Sequence, residues 1–238
     1  MNPSERVALE AAFVLHHRPF RNTSQLLDCL TENYGLVRLI ARGSRRARTG
    51  SRAVLQPFVP LRVSWVSRSD LGRLTSVEGV THLFEFPAER SLAGFYMNEL
   101  TLRLLHRGDP NQTVFSCYSD ALLELASGPV VARTLRVYET RLLKALGYGL
   151  NLEKDVSTGH LLEPDGVYAF DPDQGARAVS RPAGELTFLG AHLISLRDEE
   201  LADADSLRSA KRLLRSALER HLDGRPLNSW AVIKDVYS

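Results

Sequence analysis

Eight arginines and no carboxylate lie between Glu32 and Asp70. Five of them, Arg42, Arg45, Arg46, Arg48 and Arg52, crowd into one stretch spaced by Gly43, Ser44, Thr49, Gly50 and Ser51. Such spacers have nothing to bury, so the segment reads as a loop free to follow a charged backbone. Guanidinium is the group that forks onto phosphate and stacks on flat rings. All twelve basic residues of 1–82 are arginine; against six carboxylates they give this third a charge of +6. The remainder holds 18 bases and 22 acids, −4, so the whole-chain value of +2 conceals the division. A polyanion is the partner this pattern fits, with Arg38, Arg42, Arg45, Arg46, Arg48 and Arg52 as the phosphate-contacting candidates. The plainer reading is a solvated hairpin tip in an arginine-rich chain. Phe20, Tyr34, Phe58 and Trp65 are the candidate stacking platforms, although aromatic residues in strands usually belong to the core.

Two other groups have useful spacing. Arg133, Arg136, Thr140 and Lys144 repeat at helical intervals, on the face expected to lie opposite Leu135, Tyr138 and Leu142. A basic residue beside apolar side chains suits an acidic peptide with a hydrophobic end. Arg136, helped by Arg133, is the candidate for its carboxylate, and a local pair with Glu139 is the alternative. Arg208, Lys211, Arg212 and Arg215 form a second basic stripe, which a plain solvated helix face would also explain.

The elements that must position these groups fall into two kinds. Residues 1–82 read as five short strands: Val7–His17, Ser24–Glu32, Leu36–Ala41, Val54–Val66 and Leu71–His82. Pro57 and Pro60 mark the fourth as bent or at an edge. An SH3-like barrel, a small sandwich or another small barrel would all give this pattern. From Pro87 the period becomes helical. Helices are expected over Ser91–Arg107, over Gln112–Ala126, from about Pro129 to Gly147, and from about Asp205 to Leu222, the last with Asp203 and Asp205 at its positive end. Residues 151–192 read as strand-poor and loop-rich.

Much chemistry is absent. No G-x-x-x-x-G-K-[ST], G-x-G-x-x-G, H-E-x-x-H or G-x-S-x-G occurs, so no nucleotide cradle, zinc protease or serine-hydrolase signature is offered. His16 and His17, adjacent on a strand, point to opposite faces and cannot chelate one ion. Cys29 and Cys117 are the only cysteines; they exclude a disulfide framework, and Cys29 reads as a packed small residue. A metal-dependent nuclease has no acid and histidine cluster to support it. The composition, 44% hydrophobic and 24% charged, is globular. No apolar run reaches the ~18 residues of a membrane span, and Glu5, Arg6 and Glu10 interrupt any signal-like start. A cytoplasmic protein is expected.

Several blocks carry a resemblance. Phe13–Ser24 (F-V-L-H-H-R-P-F-R-N-T-S), Gly35–Ser44 (G-L-V-R-L-I-A-R-G-S) and Leu55–Leu61 (L-Q-P-F-V-P-L) resemble, in order and spacing, the first domain of the bacterial RecO recombination-mediator family. Tyr96–Leu100, Arg136–Asn151, Asp205–Arg215 and His221–Ser229 resemble its helical domain. The resemblance spans nearly the whole chain. It implies an α+β, multi-domain protein: a five-stranded OB-type β-barrel over 1–82, then a helical domain over 83–238 with the irregular insert at 151–192.

The resemblance also implies a function. The expectation is a non-enzymatic mediator of RecF-pathway repair that binds single- and double-stranded DNA and anneals complementary strands. With RecR it would help load RecA onto strands coated by single-strand-binding protein, whose C-terminal tail it would grip. Such a protein would work in the cytoplasm, at the nucleoid. The contrasting reading is an interaction scaffold that never touches DNA. In one respect the chain departs from the family. Many members carry two Cys pairs and a zinc ion in the insert; here Asp155 and Thr158 stand where the first pair would lie, and no Cys follows Cys117. No metal and no cofactor are therefore expected.

Overall fold

The computed structural model describes residues 5–44, 54–67, 69–80, 87–180 and 186–233. They form two compact units, Met1–Ser127 and Gly128–Ser238.

The first unit is built on a closed barrel of β1 (Glu5–Phe20), β2 (Ser24–Thr31), β3 (Gly35–Ala41), β4 (Pro60–Ser67) and β5 (Leu71–Gly79). Its strand order is β1-β2-β3-β5-β4, and β4 returns to pair with β1. The closure is the parallel pairing of β3 with β5, Arg38 opposite Leu71 and Ile40 opposite Arg73. The long β1 serves two neighbours. Register shifts between Val7 and Glu10 and between Val14 and His16 bend it, so that its first half pairs with β4 and its second with β2; bulges are how a strand turns a barrel corner. Alternation sends Val14, Leu27, Cys29, Leu39, Val63 and Trp65 into one interior cluster. Burial pushes the Cys29 thiol up to about 12, with the Asp28 charge adding to it, so it behaves as a small apolar residue.

Two expected strands begin or end elsewhere. The fourth starts at Pro60 and not at Val54. Pro57 makes only an isolated bridge to Val14, and Phe58 turns the chain at φ 69, so the prolines and this turn break the ladder before it starts. The fifth ends at Gly79; residues 81–82 lie outside the described residues.

Helices α1 (Ala88–Leu104) and α2 (Gln112–Ser127) pack on the barrel within the same unit. By compactness these helices fall in one unit with the strands. Asn98, buried, joins all three parts: its Nδ2 donates to the Leu15 carbonyl at 2.8 Å, and its Oδ1 accepts from Tyr118 Oη at 2.5 Å. Phe13 of β1 meets Phe115 and Tyr118 of α2 at ring-centroid distances of 5.4 and 5.2 Å. Gly94 of α1 is required for close packing, because a Cβ there would stand 2.7 Å from the Phe58 ring.

The second unit contains α3 (Val131–Ala145), α4 (Gly190–Arg197), α5 (Ala204–His221) and α6 (Ser229–Ile233). Asp203 caps α5, accepting from the Asp205 and Ser206 amides at 2.8 Å each. The Ser206 amide above all holds the Asp203 carboxyl below the usual carboxylate range. The insert is more regular than its sequence suggests. It carries a three-stranded sheet of β6 (Val167–Asp171), β7 (Gly175–Ala178) and β8 (Thr187–Leu189) in the order β7-β6-β8, and α4 follows at once. Strands of three to five residues give little periodicity. The available signals were the alternation of buried Tyr168 and Phe170 and the turn at Pro172–Gly175.

Asp155 and Thr158, the positions where the resemblance would set a first Cys pair, lie in the turn Asp155–His160. Asp155, 4% exposed, accepts from the Ser157 amide at 2.8 Å and the Ser157 hydroxyl at 2.7 Å. The Asp155 amide donates to the His160 carbonyl, and Gly159 N–H closes onto the Asp155 carbonyl. The Ser157 hydroxyl leads a set of donors, including the Ala178 amide and Thr158, that holds the Asp155 carboxyl below its ordinary value against the opposing effect of burial. This oxygen-centred turn does not fit zinc, which takes thiolate and imidazole ligands in tetrahedral sets. Among the described residues no group of three or more His, Cys, Asp and Glu side chains is placed to hold a metal.

A carboxyl held low in the folded state stabilises the insert above the unfolded group's ordinary pKa of ~3.9, and the contribution disappears as pH falls through the folded value. Asp155→Ala should cost about 0.5–1.5 kcal/mol, the net worth of a typical hydrogen bond, because the donors on Ser157, Thr158 and Ala178 belong to exposed residues that water can serve. Hydrogen exchange of the Ser157 and Ala178 amides at pH 7 is the measurement; parental protection in the variant would refute it.

Candidate nucleic-acid interface

Residues directly opposite on paired strands share a face of the sheet. One such row runs round the outside of the barrel through Arg18, Leu26, Ile40, Arg73, Val66 and Arg6. Arg6, Arg18 and Arg73 are exposed and make no ion pair among the described residues. Alternation along β3 adds Arg38 and Arg42 to the side that carries Ile40, because Leu39 and Ala41 point inward. Arg42 is exposed in the turn that leaves β3. The root of the arginine loop is fixed there by Ser44, whose hydroxyl lies 3.0 Å from the Ala41 carbonyl and 3.1 Å from Gln25 Oε1. Arg45, Arg46, Arg48 and Arg52 lie outside the described residues.

Arg38 has a local partner. Its Nε donates to Asp28 Oδ1 at 2.7 Å, and Arg107, from the loop between α1 and α2, reaches the same oxygen at 3.3 Å. His16 Nδ1 stands 3.6 Å from the other carboxylate oxygen. Asp28 is only 7% exposed, and a buried carboxylate needs such partners. Arg107 is a residue that sequence reasoning missed. It reaches the barrel because the chain after α1 bridges to β3: Arg107 lies beside Leu36 as an extra strand residue, and Gly108 N–H donates to the Leu36 carbonyl at 3.1 Å. Arg6, Arg18 and Arg73 were also missed, because arginines this far apart on β1, and single on β5, show no period.

The stacking candidates divide. Trp65, 3% exposed, belongs to the barrel core, and Phe58, 8% exposed, packs against Phe95 with ring centroids 5.0 Å apart. Tyr34 is half-buried, edge-on to Trp65 at 5.2 Å, and faces a groove of about 480 Å³ at the barrel mouth. Phe20 is also half-buried, with the Arg21 guanidinium 5.3 Å from its ring.

In the second unit Arg136 makes the local pair with Glu139 that was the alternative to a free carboxylate partner. Arg136 is 7% exposed and donates to Glu139 Oε1 at 2.7 Å, and Glu139 is 0% exposed. The reason is that α3 buries more than its Leu135, Tyr138 and Leu142 stripe: Thr134, Arg136, Glu139 and Leu143 are covered as well. Arg133 donates to the Glu199 and Glu200 carbonyls at 2.7 and 2.9 Å, tying α3 to the turn after α4. Beside α3, Thr140, Lys144, Leu150, Leu152, Leu161 and Arg197 line a hollow of about 550 Å³. On α5, Arg208 pairs with Asp205, Arg215 pairs with Glu219 and lies 4.4 Å over the Trp230 ring, and Arg212 lies 5.1 Å over Phe188. Lys211 completes that stripe, half-buried.

A five-stranded barrel of this order, closed by a parallel β3–β5 pair, is an OB-type fold, here carried with a helical region in the same chain. Residues 7–83 match the family model described as Recombination protein O N terminal, and residues 87–231 match Recombination protein O C terminal. The DNA repair protein RecO of Coxiella burnetii is 42% identical over 95% of this chain and 97% of its own. Proteins of the same name from Nitrosococcus oceani and Ralstonia nicotianae are 40% and 35% identical, each over 97% of this chain, and over 94% and 85% of their own. The chain belongs to the RecO family of DNA repair proteins. No helix among the described residues is long and apolar enough to cross a membrane.

Proposed function

We propose that the protein is a non-enzymatic recombination mediator, binding single- and double-stranded DNA through its barrel and annealing complementary strands. Acting with RecR, it would help load RecA onto strands coated by single-strand-binding protein, at the nucleoid. The observation that carries this reading is the outer barrel face, where Arg6, Arg18, Arg42 and Arg73 stand exposed without ion pairs among the described residues. Each guanidinium that neutralises a phosphate releases counterions, so affinity falls with salt in proportion to the number of phosphates neutralised. Arg45, Arg46, Arg48 and Arg52, outside the described residues, are phosphate contacts in the same reading.

The tail of single-strand-binding protein is assigned to the α3 side of the helical unit. Lys144 stands beside apolar Leu150, Leu152 and Leu161 in the hollow there, which suits an acidic peptide with a hydrophobic end; Arg197 at the same hollow is bonded to Asp198, and Glu153 sets a repulsive edge. Arg133 and Arg136 support that region from within, through the bonds described above. Arg208, Lys211, Arg212 and Arg215 would offer a second, weaker basic face.

Titration of a labelled single-stranded oligonucleotide at several salt concentrations tests the reading. The variant Arg18→Ala/Arg42→Ala/Arg73→Ala should weaken binding to every sequence alike and flatten the log–log salt slope by about 0.7 for each phosphate no longer neutralised. An annealing assay on complementary strands should slow in parallel. Parental binding by the triple variant would leave the barrel a scaffold.

A further inference from the structure

The geometry points to a single-nucleotide subsite at the barrel mouth, where one base lies on Tyr34 and its phosphate is held jointly by Arg38 of the barrel and Arg107 of the α1–α2 loop. It rests on the DNA-binding reading and gives that reading an address. The groove there holds about 480 Å³, within the ~300–1,000 Å³ of sites that enclose small ligands. Tyr34, the edge of Trp65 and Pro110 give it apolar surface of the sort a base covers.

Arg38 and Arg107 form the cationic wall. Both donate to Asp28 Oδ1, at 2.7 and 3.3 Å, so one buried carboxylate holds two forks side by side. A guanidinium has five N–H donors, and each of these uses only one on Asp28. The cluster keeps one net positive charge before His16 is counted. The groove is also lined by Glu5 at the start of β1 and Asp70 just before β5. Their carboxylates repel phosphate, which fixes the polarity: phosphate at the arginines, base over Tyr34.

The arrangement selects single strands. A base inside a duplex is stacked and paired and cannot enter the groove without being extruded, whereas an unpaired base is free to leave its neighbours and stack on an aromatic ring. Arg107 therefore differs from the exposed arginines of the strands, which meet the phosphates of either form.

The test compares a labelled single-stranded oligonucleotide with a blunt duplex of the same length, using the full chain. Arg107→Ala, a change at a side chain 44% exposed, should weaken single-strand binding roughly tenfold or more, as expected for a hydrogen bond to a charged group. The salt slope should fall by about 0.7, and duplex affinity should change less than about threefold. Tyr34→Leu keeps an apolar group against Trp65 but removes the ring; it should cost roughly fivefold or more on the single strand, as stacking on one base does. That further loss should vanish on an oligonucleotide of abasic sites. Equal losses on single strand and duplex would overturn the subsite and make Arg107 part of a general basic surface. Unchanged single-strand binding in Arg107→Ala, with the parent binding normally, would overturn it too while leaving the barrel a DNA-binding unit. A parent that binds no DNA would end both proposals.

Discussion

Arg136→Ala should destabilise the helical unit by about 3–5 kcal/mol, the cost typical of breaking a buried ion pair from one side. Glu139 is fully buried, and its 2.7 Å bond from Arg136 joins two groups on one face of α3. Removing the guanidinium takes the 2.7 Å donor from a fully buried carboxylate, which raises the desolvation cost of its charge. The pair as a whole contributes far less than either deletion implies. Arg136→Met combined with Glu139→Leu removes both charges and keeps the volume, so the double variant should lie within about 1–2 kcal/mol of the parent. Urea denaturation of the parent, Arg136→Met, Glu139→Leu and the double variant measures the coupling, with Arg136→Ala beside them. A single-mutant cost below about 1 kcal/mol would refute the ion pair as a support of the fold.

The same geometry decides how tail binding must be tested. A weaker grip on the acidic tail in Arg136→Ala would confound a damaged fold with a missing carboxylate partner. Lys144→Ala, exposed at the hollow beside α3, removes a charge without emptying the core. Its expected effect is weaker binding of the tail peptide by calorimetry with single-stranded DNA affinity unchanged.

What the sequence made legible was whatever repeats locally. The loose alternation of β1, the apolar runs of β2 and β3 and the helical stripes of α2, α3 and α5 appear where their apolar residues place them, and Asp203 announces the start of α5. Three features were illegible for physical reasons. The β6–β8 sheet is made of strands too short to show a period. The burial of Arg136 depends on how wide a face α3 covers, which is a tertiary matter. The docking of Arg107 on the barrel depends on a bridge between Leu36 and Arg107, residues far apart in the chain, with nothing in either neighbourhood that names the other. The arginine content of the first third was plain. Which arginines are spent on Asp28 and which face solvent was not, since Arg38 and Arg42 look alike in sequence and differ only in what stands opposite them.

Gly35→Ala should separate the barrel from its α1–α2 loop. Gly35 has φ +63, and a Cβ built there would stand 2.1 Å from the Asp109 carbonyl oxygen and 2.6 Å from its carbon. Both are backbone atoms, so no side chain can swing aside. The left-handed conformation alone costs a non-glycine residue about 1–2 kcal/mol, and relief of the clash requires the Arg107–Pro110 segment to move. That segment is held to β3 by the Gly108–Leu36 hydrogen bond and to Asp28 by Arg107; both bonds should break as it moves. The expected total is about 2–4 kcal/mol, within the range of severe single substitutions at special backbone positions. The core cluster of the barrel does not include this loop, so the strands should survive, with Cys29 still resisting alkylation in the folded protein. Hydrogen exchange at Gly108 should rise well before exchange at Leu27 or Leu39, because local opening costs less than global unfolding. A uniform rise across the barrel would show instead that the hairpin at Gly35 is integral to the strand core, and parental protection at Gly108 would show that the backbone accommodates the methyl group without releasing the loop.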